Sequence, residues 1–247
     1  MTWHLPFAIA HRGASQLAPE NTLAALSLAK KKGAIAVECD IQLTKDNVPV
    51  ILHDATLNRT TNGSGLLSQT AYKKIETLSA GEWFSKKFVK EKIPTLQEWL
   101  ETASTLDLLL NLEIKARTEK QAVILAKVVC DHIEKFYAKK LPLPLISSSN
   151  LFVLKNIFKT NKKLAQGYLI EKKVTRDFMQ QCKKINIVAI NQPYALFNAH
   201  YVQEIHTHQL KTLAYTVNDK NLANELKKIG VDGIFTDNYQ LLRERAC

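Results

Sequence analysis

The sequence predicts an α/β protein, a (β/α)8 TIM barrel with a small helical insertion after the second strand. Three observations carry that prediction. The 247 residues, with 46% hydrophobic and 23% charged content, match the usual length and composition of one barrel. Short apolar runs alternate with amphipathic stretches, as parallel strands covered by helices require. No G-x-G-x-x-G follows the first run, so an open dinucleotide-binding sheet lacks its phosphate loop. No linker rich in Gly, Ser or Pro divides the chain, and a single domain over 1–247 is expected.

The elements follow in order. Phe7–His11 reads as the first strand, and a helix from about Asn21 to Lys32 follows, with Asn21 as its N-cap and Gly33 as its stop. Ala34–Leu43 is the second strand, with Val48–His53 as a short extension beyond it. Asn47, between the two, suits a left-handed turn, because asparagine tolerates that conformation best among non-glycine residues. The segment from Asn58 to Pro94 breaks the repeat: it is polar at first, then carries Trp83, Phe84 and Phe88 among lysines. Long βα connections cover the active-site face of a barrel, so this insertion is expected to form one wall of the pocket, its aromatics mainly packing it onto the barrel. Leu106–Ile114 is the third strand, followed by a helix over Lys120–Lys135. Leu143–Ser147, Leu164–Ile170, Ile187–Ile190, Leu210–Val217 and Asp232–Thr236 complete eight strands. Helical patterns near Leu151–Phe158, Arg176–Lys184, Ala199–His208 and Asn221–Lys228 separate them.

The net charge of +11 calls for a negatively charged partner to be considered. The lysines, however, fall in short groups such as Lys30-Lys31-Lys32 and Lys183-Lys184 near helix ends, where they complement the helix dipole. No recognised nucleic-acid motif accompanies them, so the reading is a basic surface rather than a nucleic-acid site. Cys39, Cys130, Cys182 and Cys247 form no C-x-x-C pair and read as free thiols of a reducing compartment. The apolar stretch from Trp3 to Ala10 lacks a basic leader, and no segment is long and apolar enough to span a bilayer. A cytoplasmic protein without stable membrane insertion is expected.

The candidate chemistry begins at Val37-Glu38-Cys39-Asp40-Ile41. Glu38 and Asp40 share one face of a strand, about 6.6 Å apart along it. Burying two such carboxylates is costly unless a cation compensates them, and a hard divalent metal takes oxygen ligands. Glu113 and Lys115 share a face of the third strand in the same way, so Glu113 can complete a three-carboxylate site with Lys115 beside it. Taken alone, each pair favours a structural ion-pair cluster. His11 and His53 change that balance, because both lie at strand C-terminal ends, where barrel chemistry is found. Two imidazoles suit the proton transfers of phosphodiester cleavage, and Arg12 can bridge two phosphoryl oxygens. Ser147-Ser148-Ser149 has no histidine partner identifiable in sequence, so a covalent enzyme intermediate is not expected. His200, His206 and His208 are assigned no metal, since His206 and His208 do not share a helix face.

These residues form a pattern. His11-Arg12-Gly13, Pro19-Glu20-Asn21-Thr22, Glu38-Cys39-Asp40, His53-Asp54, Leu57-x-Arg59-Thr60-Thr61, Pro94-Thr95-Leu96 and Glu113-Ile114-Lys115 resemble, in order and spacing, the glycerophosphodiester phosphodiesterase family. Thr216-Val217-Asn218 and Asp232-Gly233-Ile234-Phe235-Thr236-Asp237 look like the family's last two strands. The resemblance implies a TIM barrel that uses one divalent cation, Mg²⁺ or Ca²⁺, to hydrolyse a small-molecule glycerophosphodiester to glycerol 3-phosphate and an alcohol. By the same resemblance His11 and His53 are the acid–base pair, Glu38, Asp40 and Glu113 the metal ligands, and Arg12 and Lys115 the phosphate-binding groups. Two positions depart from the family: Asn47 where glycine is usual, and Tyr215 where tryptophan is common. Such a substrate carries its own hydroxyl next to the esterified carbon, which favours a cyclic-phosphate route over direct attack by water. A phospholipase D-like barrel acting on lysophospholipids and a non-catalytic phospho-ligand barrel remain alternatives. The alcohol, the metal and the oligomeric state are not legible in the sequence.

Overall fold

The protein is described by a computed structural model over residues 4–243. Eight parallel strands close a barrel: β1 (Ala8–Ala10), β2 (Ala36–Leu43), β4 (Leu109–Ile114), β5 (Leu145–Ser148), β6 (Gln166–Leu169), β7 (Ile187–Pro193), β8 (Lys211–Tyr215) and β9 (Gly233–Thr236). β1 bonds both β2 and β9, so no sheet edge is left between them. The short β3 (Pro49–Ile51) runs antiparallel to the end of β2 and extends it. The helices are α1 (Leu23–Lys31), α2 (Tyr72–Ile75), α3 (Leu96–Thr105), α4 (Glu119–Phe136), α5 (Leu151–Thr160), α6 (Arg176–Cys182), α7 (Ala199–Thr207) and α8 (Lys220–Lys228).

The two faces of each strand have different neighbours, and that difference positions the site. On β2, Val37, Cys39 and Ile41 pack in one cluster with Leu26 of α1 and Trp99 and Leu100 of α3. Trp99 is fully buried, and truncating it to Ala would cost about 3–5 kcal/mol through lost contact and the cavity left behind. Alternate residues point into the barrel, where Ile9, Ala36, Leu145, Ala189, Leu213 and Phe235 form an apolar floor. The next inward positions of β2 above Ala36 are Glu38 and Asp40. The acidic residues therefore sit on an apolar floor at the strands' C-terminal ends.

Several sequence expectations are corrected. The N-cap of α1 is Thr22, whose hydroxyl accepts from the backbone N–H of Ala25, and not Asn21. Asn21 adopts a left-handed conformation (φ 59°) and turns its amide inward to Asp40. Asn47 is left-handed (φ 63°), as its sequence context requires. Leu106 and Asp107 belong to the turn that ends α3, and the strand starts at Leu109. α3 itself lies outside the expected helices, although Thr95 and Glu98 form a capping box at its start. The insertion contains only single helical turns, at Leu67–Gln69, Tyr72–Ile75 and Lys86–Phe88, and its Leu67, Ile75 and Ile93 share a small core with Val50 and Leu52. Cys39, Cys130 and Cys182 are free and buried, while Cys247 and Trp3 lie outside the described residues. Among the described residues, no helix is long and apolar enough to cross a membrane.

Candidate active site

The site begins with a sharp turn at the end of β1. Arg12 (φ 57°) and Gly13 (φ 84°) both take left-handed backbone, and a Cβ on Gly13 would meet Ala25 of α1 at 2.7 Å. Only glycine fits there. The turn brings Arg12 back over the barrel mouth. Its backbone N–H donates to Glu38 Oε2 (3.0 Å), its Nη1 donates to Glu20 Oε1 (2.8 Å), and its Nε lies 3.4 Å from Asp40 Oδ2.

Parallel register joins the two acidic strands. Asp40 on β2 lies opposite Glu113 on β4, and Glu38 lies opposite Asn111. Glu38, Asp40 and Glu113 each offer an oxygen within 4.8 Å of the others, the one such group among the described residues. Lys115 donates to Glu113 Oε1 at 2.6 Å and stands 3.1 Å from Asp40 Oδ1. Burial raises the Asp40 carboxyl, but Lys115, Arg12 and His53, with the Asn21 hydrogen bond, outweigh it and hold the group at about 2. Glu38 goes the other way: burial, then Asp40 and Glu113, push it well above the carboxylate range, against a smaller pull from Arg12 and Lys115. Three carboxylates thus share two cations, one of which also serves Glu20. Glu38 Oε1 is buried without a hydrogen-bond partner. An all-oxygen set with surplus negative charge and an orphaned oxygen fits a hard divalent cation.

The two histidines are held alike. His11 Nδ1 is 2.7 Å from Asp237 Oδ1, and its Nε2 lies 4.0 Å from Glu38 Oε2. Asp237 also accepts from Ser15 Oγ (3.0 Å) and Asn218 Nδ2 (2.9 Å). Burial raises its carboxyl, yet these donors win and hold it at about 2. His53 Nδ1 is 2.7 Å from Asp54 Oδ1, and Arg59 bonds both oxygens of Asp54 and both of Glu20. Those Arg59 bonds, ahead of His53, keep Asp54 well below its ordinary value. The backbone carrying His53 is tied down by Gln42, whose amide donates to the carbonyls of Leu52, His53 and Asp54. Each imidazole thus gives Nδ1 to an ionised carboxylate, which leaves Nε2 for chemistry.

All of this borders one cavity of about 710 Å³. His11, Arg12, Glu38, His53, Glu113 and Lys115 line it, and Asp40 lies just behind, bonded to Lys115. The insertion does not contribute a wall: no residue of 58–94 lines the cavity, and the wall facing the acidic group comes from 168–172, the end of β6 and the segment that follows it. The insertion acts at one remove, through Arg59 on Asp54. Ser147 Oγ accepts from Asn111, so its partner is an amide and not a histidine. His206 Nε2 pairs with Asp232 Oδ2 away from the cavity. Asn191 lines the cavity with both amide atoms buried and unpartnered, in space that Gly167 keeps open, since a Cβ there would meet Asn191 Oδ1 at 2.9 Å. The sequence reading gave no role to Asn111 or Asn191. Asn111 was findable, because it stands two residues before Glu113 on the same face. Asp54, Arg59 and Asp237 fell within quoted motifs, but their partners are set by folding.

A profile of the glycerophosphoryl diester phosphodiesterase family matches residues 11–241. The chain is 34% identical to a glycerophosphodiester phosphodiesterase of Caldanaerobacter subterraneus, covering 95% of each. A phosphodiesterase from Oleispira antarctica, solved with the product sn-glycerol-3-phosphate, superposes with a TM-score of 0.92 at 35% identity, covering 97% of this chain and 96% of that one. A glycerophosphodiester phosphodiesterase from Thermotoga maritima superposes with a TM-score of 0.76 at 26% identity, covering 97% and 98%. With the barrel, the acidic group and the paired histidines in place, the chain belongs to the glycerophosphoryl diester phosphodiesterase family of enzymes.

Proposed function

We propose that this protein hydrolyses glycerophosphodiesters to sn-glycerol 3-phosphate and an alcohol, with one divalent cation, Mg²⁺ or Ca²⁺, held by Glu38, Asp40 and Glu113. The observation that carries this reading is the pairing of each imidazole with its own carboxylate on either side of a buried acidic trio. When bound, the cation supplies Lewis-acid polarisation and charge compensation for the phosphoryl oxygens. Arg12 Nη2 and the Lys115 ammonium orient those oxygens, Lys115 while balancing Asp40 and Glu113.

His11 and His53 share the proton transfers. One Nε2 accepts the proton of the substrate's own hydroxyl as that oxygen attacks phosphorus; the other gives its proton to the departing alcohol. Water then opens the five-membered cyclic phosphate with the two roles exchanged. Asp237 and Asp54, both ionised near neutrality, fix the tautomer and stabilise each imidazolium as it forms. A reducing, cytoplasmic setting accords with the three buried free thiols.

The test is to strip the protein of metal and offer it a panel of glycerophosphodiesters while Mg²⁺ or Ca²⁺ is restored. Release of sn-glycerol 3-phosphate only on restoration is expected. Turnover that persists in chelator removes the cation from the reading, and no turnover with either cation removes the activity.

A further inference from the structure

The cavity has a second half that the acid–base chemistry leaves unused. β1, β2 and β4 carry His11, the acidic trio and Lys115; β6, β7 and β8 stand across the barrel from them. Tyr168, Leu169, Ile170, Glu171 and Lys172 border the cavity on that far side, with Tyr215 from the end of β8. Glu171 is exposed at the rim, lines the cavity and makes no ion pair or side-chain hydrogen bond among the described residues, in a protein of net charge +11. The Tyr215 hydroxyl beside it is buried and has no partner. Burial, then the charges of Glu171 and Glu113, push that hydroxyl up to about 12 against a smaller pull from Lys115. The Tyr168 ring is braced by Phe178 at 5.0 Å between centroids.

A carboxylate without an ion-pair partner, lining the same cavity as two tyrosine rings, can attract an organic cation through both its charge and the ring faces. A diester whose phosphate sits by Lys115 must send one ester arm across the barrel mouth, and about 710 Å³ accommodates it. We propose that Glu171, with Tyr168 and Tyr215, forms the subsite for the alcohol arm and selects a cationic amino alcohol of the choline or ethanolamine type. The proposal rests on the phosphodiesterase reading above. Lys115 does not compete with this cation for Glu171, because it is paired with Asp40 and Glu113. Tyr215 offers an aromatic face and an unpartnered hydroxyl that can donate to Glu171 or to an alcohol oxygen.

The experiment compares kcat/KM for glycerophosphocholine, glycerophosphoethanolamine and glycerophosphoglycerol in the parent, Glu171→Gln and Glu171→Lys. The parent is expected to prefer both cationic esters. Glu171→Gln should lower the choline-to-glycerol ratio about tenfold, chiefly through KM, and Glu171→Lys should lower it further. Calorimetric titration with choline reads the subsite without turnover, and choline binding should weaken in both variants. A ratio within twofold of the parent's in both variants, or a parent that favours the glycerol ester, overturns the proposal. If no diester is cleaved, the phosphodiesterase reading fails by itself, and the choline titration still decides the subsite: equal binding by parent and variants overturns it.

Discussion

Replacing Glu38 by Gln separates the two roles that its carboxylate plays. In the metal-free protein Glu38 is a burden, buried at 2% exposure among Asp40 and Glu113 and raised well above its ordinary pKa by that burial and their charge. Its Oε2 accepts the Arg12 backbone N–H at 3.0 Å, and the Gln carbonyl can keep that bond. The metal-stripped Glu38→Gln protein should therefore melt no lower than the metal-stripped parent. With cation the order reverses. A ligand present at a hundred times its Kd stabilises the folded state by about 2.7 kcal/mol. Unfolding 247 residues at about 2.1 cal/mol/K each gives an entropy near 0.5 kcal/mol/K, so the parent should gain about 5 °C. Glu38→Gln should lose most of that gain at the same cation concentration. Differential scanning calorimetry in chelator and across a Mg²⁺ or Ca²⁺ titration measures both halves. A variant that gains the parent's full shift, or one destabilised in chelator, would refute the argument that surplus negative charge here exists to hold a cation.

Changing either His11 or His53 to Ala should lower kcat by about 10²–10⁴ and leave the fold intact by circular dichroism. Parent-like rates in His53→Ala would take that residue out of the chemistry. Asp237→Asn should lower stability near neutral pH and converge on the parent in strong acid. The folded pKa of Asp237, about 2, lies below the unfolded value of about 3.9, so its contribution is complete above pH 4 and lost as pH falls toward 2. Acid titration of the parent should show that slope and the variant should not; matching curves would mean that the His11 pair contributes nothing. A glycerophosphodiester lacking the hydroxyl next to the esterified carbon should bind and resist cleavage, whereas brisk hydrolysis would indicate direct attack by water.

Much of the site was legible because it obeys local geometry. Glu38 with Asp40, and Glu113 with Lys115, are two residues apart on strands, and the period of two puts the members of each pair on one face. His11 and His53 could be placed from the ends of apolar runs. Errors arose where two local rules competed. Asn21 and Thr22 are both good N-caps, and Thr22 takes the role because Asn21 spends its amide on Asp40, a contact no helix rule contains. The insertion reads as a pocket wall from its length, but its apolar residues pack against Val50 and Leu52 outside the cavity and leave Arg59 to reach the site.

The sequence by itself determined which of these residues share a strand face, that carboxylates and imidazoles gather at strand C-terminal ends, and that a barrel is the closure for eight such units. Tertiary structure decided what those groups do to one another. The register of β2 against β4 sets Asp40 opposite Glu113, and barrel closure brings Asp237 to His11 across 226 positions of chain. Likewise β6 and β8, separated in sequence, together place Glu171 and Tyr215 on the wall facing the acidic trio. Electrostatic energies fall off with distance in space, and only folding sets that distance.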